Sequence, residues 1–249
     1  MATAPSRLPE PARELGSKGG SSIVLHSDSE AGSEDDGDDI ERHRFTAEET
    51  LLIFDWDDTV MPSSWVLEEG LRIDESCSPT MKQQEHLTEL ARLAARTLKL
   101  AQKLGTVLLV TNAERGWVEL SCQKFMPSLV PLLDNVRTLS ARTEYESADL
   151  PSPFEWKLKA FQNEIRRFFD LDIGTVRRKN VLSFGDSGHE REAVIHATAN
   201  LSDCRTKSLK FIDRPGVDDL RKQHACMVKC LRQIVHHDGN LDLCIRLAD

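Results

Sequence analysis

The stretch Leu51-Leu52-Ile53-Phe54-Asp55-Trp56-Asp57-Asp58-Thr59 sets the fold expected for the rest of the chain. Its four consecutive apolar residues, with no turn residue among them, predict a buried β-strand. Because three carboxylates inside a sheet would cost a large desolvation free energy, the chain must open to solvent at Asp55. In open α/β sheets, ligands bind at this carboxyl end of the strands.

The spacing of Asp55 and Asp57 adds a chemical expectation. Side chains alternate along an extended chain, so the two carboxylates are expected to point the same way. They repel each other unless a cation or a shared proton lies between them. One interpretation is a Mg²⁺ site, because this ion prefers carboxylate oxygens. The alternative interpretation is an acidic turn in which Asp58 and Thr59 cap a helix. The apolar strand in front of the acids favours the site.

These residues resemble the first motif of the haloacid dehalogenase (HAD) superfamily, whose phosphatases carry D-x-D-x-T/V after a hydrophobic strand. Asp55, Asp57 and Thr59 match it residue by residue. The resemblance implies that Asp55 is the nucleophile that becomes an aspartyl-phosphate, and that Asp57 is the general acid and then the base. It also implies an α/β fold with a Rossmann-like parallel sheet, in which the first strand is central and the second and fourth lie beside it.

Two further motifs of the superfamily have weaker counterparts. The apolar run 106–111 predicts a strand ending in Thr111, which matches the second motif and is expected to bind phosphate together with Asn112. Ser152-Pro153 predicts a helix start, and the third motif is a lysine at the beginning of such a helix. We prefer Lys157 to Lys159 as this catalytic, phosphate-binding lysine because it lies nearer the helix start.

The fourth motif is specific. The predicted strand 180–184 is followed directly by Gly185-Asp186, and Glu190 takes the place of a second acid that is usually Asp. The resemblance implies a Mg²⁺ site made by Asp55, Asp186 and the backbone carbonyl of Asp57. The longer side chain of Glu190 leaves two roles open for it, holding the metal through water or capping a helix.

Composition separates a tail from a domain. Residues 1–44 hold five basic and ten acidic residues, with eight of the acids between Ser27 and Glu41. A segment of this kind cannot bury enough apolar surface to offset its ordering entropy, so we expect a disordered, acidic and Ser-rich tail that is dispensable for folding and chemistry. Residues 45–249 are then the HAD-like hydrolase domain. The formal charge of the whole chain is −9.

Several protein classes are disfavoured. No broad basic surplus predicts a nucleic-acid partner, and no run approaches the roughly 20 apolar residues of a membrane span. The N-terminus has no apolar signal core. Six scattered cysteines without a C-x-x-C pair are typical of a reducing compartment, so we expect a cytoplasmic or nuclear protein. A homo-oligomer is left open.

The pattern predicts about five strands near residues 51, 107, 136, 181 and 209, separated mostly by helices, and a short edge strand at 240–247. The two positions where HAD enzymes insert a cap, 60–105 and 140–153, have little room for one, so a minimal cap is expected. An open site admits a bulky or protein-borne phosphate, or a small substrate if a second subunit covers it.

The expected function is Mg²⁺-dependent hydrolysis of a phosphomonoester through an aspartyl-phosphate. Two alternatives remain. One is a phosphotransferase or phosphomutase that uses the same aspartate, and the other is a catalytically weak HAD-fold binding module. The intact pair Asp55 and Asp57 weighs against the second, because a site without chemistry has no reason to keep two repelling acids.

Overall fold

A seven-stranded, all-parallel sheet organises the chain in the computed structural model, which describes residues 21–25, 44–74, 77–171 and 177–247. The strands are β1 (Ser21–Leu25), β2 (Thr50–Phe54), β3 (Thr106–Thr111), β4 (Arg137–Ser140), β5 (Lys179–Gly185), β6 (Cys204–Lys210) and β7 (Leu241–Leu247). Their order across the sheet is β1-β7-β6-β5-β2-β3-β4. Six of the seven belong to the expected domain.

Helices cover both faces of this sheet. They are α1 (Ser63–Glu68), α2 (Met81–Leu104), α3 (Trp117–Phe125), α4 (Val130–Leu133), α5 (Ala141–Tyr145), α6 (Pro153–Phe168), α7 (Gly188–Thr198) and α8 (Val217–His236), with a 3-10 turn at Pro127–Leu129 before α4. Within the described ranges, no helix has the length and hydropathy needed to cross a membrane.

Alternation along β2 explains the two layers. Leu52 and Phe54 pack into the apolar cluster under α2, α3 and α8, whereas Leu51 and Ile53 pack into the cluster under α5, α6 and α7. A central parallel strand is buried on both faces, which is why its sequence is continuously apolar. The predicted α/β class and the flanking of β2 by β3 and β5 are both confirmed.

Three strands differ from the sequence prediction. β6 begins at Cys204, before the apolar residues that predicted it, because its polar residues Lys207 and Ser208 are buried. β7 is at the predicted place but is not an edge strand, since it pairs with β6 and β1. The tail predicted as disordered contains β1 at Ser21–Leu25, whose Ile, Val and Leu favour strands; the rest of that tail before residue 44 lies outside the described residues.

A buried histidine of α8 contacts the backbone of the loop after β2. His224 Nε2 lies 3.0 Å from the carbonyl oxygen of Thr59, and Nδ1 lies 3.1 Å from Thr97 Oγ1. A carbonyl only accepts hydrogen bonds, so Nε2 carries the proton and Nδ1 accepts from the threonine. Burial lowers the pKa of His224 to about 4, which keeps the imidazole neutral.

A second buried polar group lies near the amino end of the sheet. Lys207 Nζ donates to Asn180 Oδ1 and to the carbonyl oxygen of Val235, both at 2.8 Å. Phe45 packs beside it, with Lys207 Nζ 5.0 Å and the Arg178 guanidinium 4.6 Å from its ring centre. The chain therefore enters the domain next to the last turn of α8.

Candidate active site

The carboxyl end of β2 places Asp55 and the acids that follow it. The Asp55 amide donates to the Phe184 carbonyl of β5 at 2.8 Å, which continues the sheet by one residue. Asp58 has a φ of 54°, and its carboxylate accepts hydrogen bonds from the amide and the hydroxyl of Ser64 in α1. A left-handed turn of this kind, locked by two hydrogen bonds, lets the chain reverse directly after the strand.

A buried ion-pair cluster lies at this edge. Lys157, in the second turn of α6, places Nζ 2.7 Å from Asp55 Oδ1 and also contacts Glu190 Oε1. Lys157 is 2% exposed, Asp55 7% and Glu190 3%. Lys159 is exposed instead, so Lys157 is the lysine of α6 that reaches the acids.

Glu190 has two partners, one for each carboxylate oxygen. Its Oε2 accepts from the amide of Ser187 at 3.1 Å and from the Ser187 hydroxyl, which forms the capping box of α7, while its Oε1 faces Lys157. A β-carbon at position 185 would lie 2.3 Å from Glu190 Cγ. Gly185 is therefore required so that Glu190 can approach the end of β5.

Asp55, Asp186 and Glu190 together form a group that could hold a metal ion. Each offers one carboxylate oxygen, and these oxygens all lie within 4.8 Å of one another. The carboxylate of Asp57 is not a member of this group and accepts a hydrogen bond from Thr111. The sharing of one cation by the Asp55 and Asp57 side chains stays a prediction. A contribution of the Asp57 backbone carbonyl stays a prediction.

The electrostatics of the group are unbalanced. Burial raises the pKa of Asp55 well above its ordinary value, although Lys157 opposes the shift. Burial together with the carboxylates of Glu190 and Asp58 raises the pKa of Asp186 to about 7. Glu190 differs, because Lys157 and Ser187 outweigh burial and lower its pKa. One ammonium among three carboxylates leaves an excess of negative charge, which is the setting that a divalent cation stabilises.

Asp57 is held by three donors on the other side of the site. Thr111 Oγ1 donates to Asp57 Oδ2 at 3.0 Å, while Trp117 Nε1 at 2.8 Å and the Ser63 hydroxyl donate to Oδ1. Thr111 Oγ1 in turn accepts from the amide of Ala113 at 2.9 Å. The three donors come from β3, α3 and α1, so the orientation of this carboxylate is fixed by three separate elements.

Asn112 connects two parts of the scaffold. Its Nδ2 donates to the Pro153 carbonyl at 3.2 Å, which ties the end of β3 to the start of the helix that carries Lys157. Its Oδ1 is buried without a hydrogen-bond partner among the described residues. The predicted phosphate contacts of Asn112, Thr111 and Lys157 remain predictions.

Trp117 and Ser63 are the contacts that the sequence did not single out. Ser63 lies outside the D-x-D-x-T motif, and Trp117 is 60 residues from Asp57, with no local pattern that relates the two. The one hint in the sequence is their position: Ser63 follows the motif that begins at Asp55, and Trp117 follows the strand that ends in Thr111. Both are hydrogen-bond donors suited to a carboxylate.

A cavity of about 370 Å³ opens beside Thr111. It lies between the loop after β3, α3 and β4, and its walls include Glu114, Arg115, Ser140 and Glu144. Arg115 and Glu144 pair with each other across it. Charged groups of both signs make this a polar space next to the hydroxyl that contacts Asp57.

Comparison with known proteins adds no name to this site. No family model, no curated protein and no solved structure matches the chain.

Proposed function

We propose that the protein is a Mg²⁺-dependent phosphomonoester hydrolase of the HAD type, acting through an aspartyl-phosphate on Asp55. The observation that carries the proposal is the cluster at the carboxyl ends of β2 and β5, where Asp55 meets Lys157, Asp186 and Glu190. A structural ion pair needs one acid for one lysine. Three acids around a single lysine, two of them buried, cost stability, which is a common property of sites whose chemistry needs them.

The residues of this site account for both steps of the reaction. Asp55 Oδ attacks phosphorus, the bond from phosphorus to the leaving oxygen breaks, and Asp57 gives that oxygen its proton. Water then attacks the aspartyl-phosphate and passes a proton back to Asp57, which releases phosphate and free Asp55. The Lys157 ammonium offsets the charge on the phosphoryl oxygens.

The donor set fits Mg²⁺. The acidic group is rich in oxygen, partly open at Asp186 and short of positive charge, as a hard divalent cation requires. Asp55 and Asp186 would hold the ion, which when bound supplies further charge neutralisation to the phosphoryl group. Both carboxylate oxygens of Glu190 already accept hydrogen bonds, one from Lys157 and one from Ser187. We therefore assign Glu190 the role of positioning Lys157.

An open site favours a large substrate. Between Val60 and Thr80, the described residues contain only the six-residue helix α1, and between β4 and α6 only the five-residue helix α5. Neither is large enough to close over a small molecule and exclude water. We therefore propose a bulky or protein-borne phosphate, with a small phosphate ester bound in an oligomer as the alternative. Turnover on phosphoproteins compared with sugar and nucleotide phosphates, together with the mass in solution, separates the two.

Replacing the nucleophile tests the covalent mechanism. Asp55→Asn keeps the shape of the side chain but cannot form the acyl phosphate, so Mg²⁺-dependent hydrolysis of an aryl phosphate should fall by at least about 10³-fold. The far-ultraviolet spectrum and melting curve should show a folded protein. Wild-type turnover in Asp55→Asn would exclude the aspartyl-phosphate, and no turnover by the wild type on any phosphate ester would favour a binding module instead.

A further inference from the structure

Over residues 90–104 of α2 and 222–236 of α8, the outer surface carries cations and no acid. The basic face, as we call it, consists of seven exposed residues: Arg92, Arg96, Lys99 and Lys103 on α2, with Lys222, Lys229 and Arg232 on α8. Neither 90–104 nor 222–236 contains an Asp or a Glu. On α2 the cations recur at spacings of four, three and four residues, which places them in one stripe along the helix.

The two stripes belong to one surface. α2 and α8 pack side by side, with His86 3.7 Å from Asp218 and Thr97 Oγ1 3.3 Å from the carbonyl oxygen of His224. Arg221 pairs with Glu89 across the same contact. The core side of α2 is formed by its buried apolar residues, so the cations point away from the sheet. The acids of this helix pair all lie toward the N-terminal ends and leave the remainder purely basic.

None of the seven cations has an ion-pair or hydrogen-bond partner among the residues that the structure describes. Several arginines elsewhere are paired, as in Arg137 with Glu164 and Arg205 with Asp238. Seven like charges on one face repel one another, and an anionic occupant would relieve that repulsion. In a chain of formal charge −9, such a concentration of unpaired cations is suited to binding an acidic segment.

The described chain begins again beside this surface, at Arg44, three residues after the acidic segment Ser27–Glu41. The carbonyl oxygen of Arg44 accepts from Arg178 at 3.0 Å, and Phe45 packs on Lys207, which is bonded to Val235 in the last turn of α8. The basic face occupies the C-terminal parts of α2 and α8, so one end of the segment is anchored next to it.

The segment is also long enough. On its other side the described chain ends at Leu25, which lies opposite Leu247 at the carboxyl end of the sheet, and 18 residues separate Leu25 from Arg44 near the amino end. Eighteen extended residues span at most about 60 Å. The 24-residue helix α2 is about 36 Å long. The segment can therefore run along the whole basic face.

We propose that the acidic segment Ser27–Glu41 docks on the basic face of its own chain. Each exposed ion pair contributes little, but many pairs act together and the tether supplies a high local concentration. The contact is electrostatic and therefore sensitive to salt, since the screening length falls from about 10 Å at 0.1 M to about 3 Å at 1 M.

Cross-linking of the full-length protein with a carbodiimide tests this directly, because the reagent joins a carboxylate to an amine only when the two are in contact. Mass spectrometry should find links from the acids of 28–41 to Lys99, Lys103 and Lys229. Lys159 is equally exposed on α6, on the opposite face of the sheet, and should remain unlinked. Raising the salt to 1 M should reduce the links about ten-fold.

A matched pair of variants distinguishes an effect of the basic face from an effect of the total charge of the protein. Arg96→Glu with Lys103→Glu reverses two charges of the basic face and leaves Lys99 and Lys229 as targets, whose links should fall at least about five-fold. The control, Lys159→Glu with Arg167→Glu, changes two exposed cations of α6 by the same charge and should link as the wild type does.

The contrary outcomes are equally distinct. Links as frequent at Lys159 as at Lys99, or a wild-type yield in the variant of the basic face, would overturn the proposal. A mixture of ¹⁵N-labelled and unlabelled protein identifies links between chains. If the links join labelled to unlabelled peptides, the occupant is the segment of a second copy and docking within one chain is excluded.

Discussion

Lys157 and Lys207 are the two least exposed lysines among the described residues; they lie near opposite ends of the sheet, and their surroundings differ. Lys157 at the carboxyl end is 2% exposed and contacts the acids Asp55 and Glu190. Lys207 near the amino end is fully buried and donates to the neutral oxygens of Asn180 and Val235. Burial lowers the pKa of both ammonium groups, but the acids outweigh it at Lys157 and hold that pKa above its ordinary value. At Lys207 the pKa falls to about 7.

The difference lies in the balance of charge at each end. Near the amino end, Lys207 can become neutral while it still donates hydrogen bonds to the acceptors around it, so this group holds no excess charge. At the carboxyl end, Lys157 and Glu190 hold each other in the charged form, and the acids outnumber the lysine. An arrangement that costs stability and is still short of a cation is suited to binding a metal ion and a phosphoryl group.

Removing Lys157 should abolish most of the activity, whereas removing Lys207 should affect stability alone. Lys157→Met leaves the buried acids unpaired and removes the charge that faces the phosphoryl group, so turnover should fall by about 10³-fold. Lys207→Met orphans the Asn180 oxygen and should cost about 1–3 kcal/mol of stability with unchanged turnover. Aryl phosphate hydrolysis measured well below the melting temperature checks both variants. A large loss of turnover in Lys207→Met would remove the distinction between the two ends.

Mg²⁺ should stabilise the folded protein through the acids at the carboxyl end of the sheet and not through Lys207. At a Mg²⁺ concentration of 100 times Kd the wild type should gain about 2.7 kcal/mol, which raises the melting temperature by several degrees. Asp186→Asn removes one ligand and the excess negative charge, so its melting temperature should hardly respond to Mg²⁺. Lys207→Met is the matched control and should respond as the wild type does. A wild type whose melting temperature ignores Mg²⁺ would contradict the assigned metal site.

The amino end should produce a pH dependence of stability. The folded pKa of Lys207, about 7, lies below the unfolded value, so between these two values the unfolded chain binds more protons. The free energy of unfolding should therefore rise with pH, by about 2 kcal/mol between pH 7 and pH 9. Urea titrations of the wild type and Lys207→Met at both pH values check this, because the rise should be absent from the variant. Equal rises in both proteins would assign the effect to another group.

The smallest expected effect concerns the indole N–H that holds Asp57. Trp117→Phe keeps the ring but removes one hydrogen bond, so hydrolysis of an alkyl phosphate, whose poor leaving group needs a proton, should slow by about ten-fold. Hydrolysis of p-nitrophenyl phosphate, whose leaving group needs no proton, should change much less. The ratio of kcat/KM for the two substrates checks this. An equal loss on both would indicate that Trp117 supports only the fold.

Strand ends were the predictable part of this molecule. Asp55, Thr111 and Asp186 each follow an apolar run, and parallel strands bring such ends to one edge. The contacts of Trp117 and Ser63 with Asp57 were not predictable, because they depend on how α3 and α1 pack and no periodicity encodes them.

Buried polar residues misled the prediction elsewhere. The start of β6 was missed because Lys207 is typical of a surface, whereas here its ammonium finds acceptors inside. β1 was missed because a short apolar run in an acidic tail has no independent signal, and its pairing partner β7 lies at the other end of the chain. Glu190 could not be assigned from sequence, since its role depends on Lys157, 33 residues away.

The hydrogen bond from His224 to Thr59 has a consequence for motion. It joins the loop that carries Asp55 and Asp57 to the contact between α2 and α8, which also includes Thr97. The loop cannot open without breaking a buried bond and disturbing two long helices. Its amides should therefore exchange hydrogen with solvent at rates set by α8 and not at the fast rates of a surface turn. In the proposed reaction, Asp55 on so slow a loop would already be in place when the substrate arrives, and little reorganisation would precede the attack.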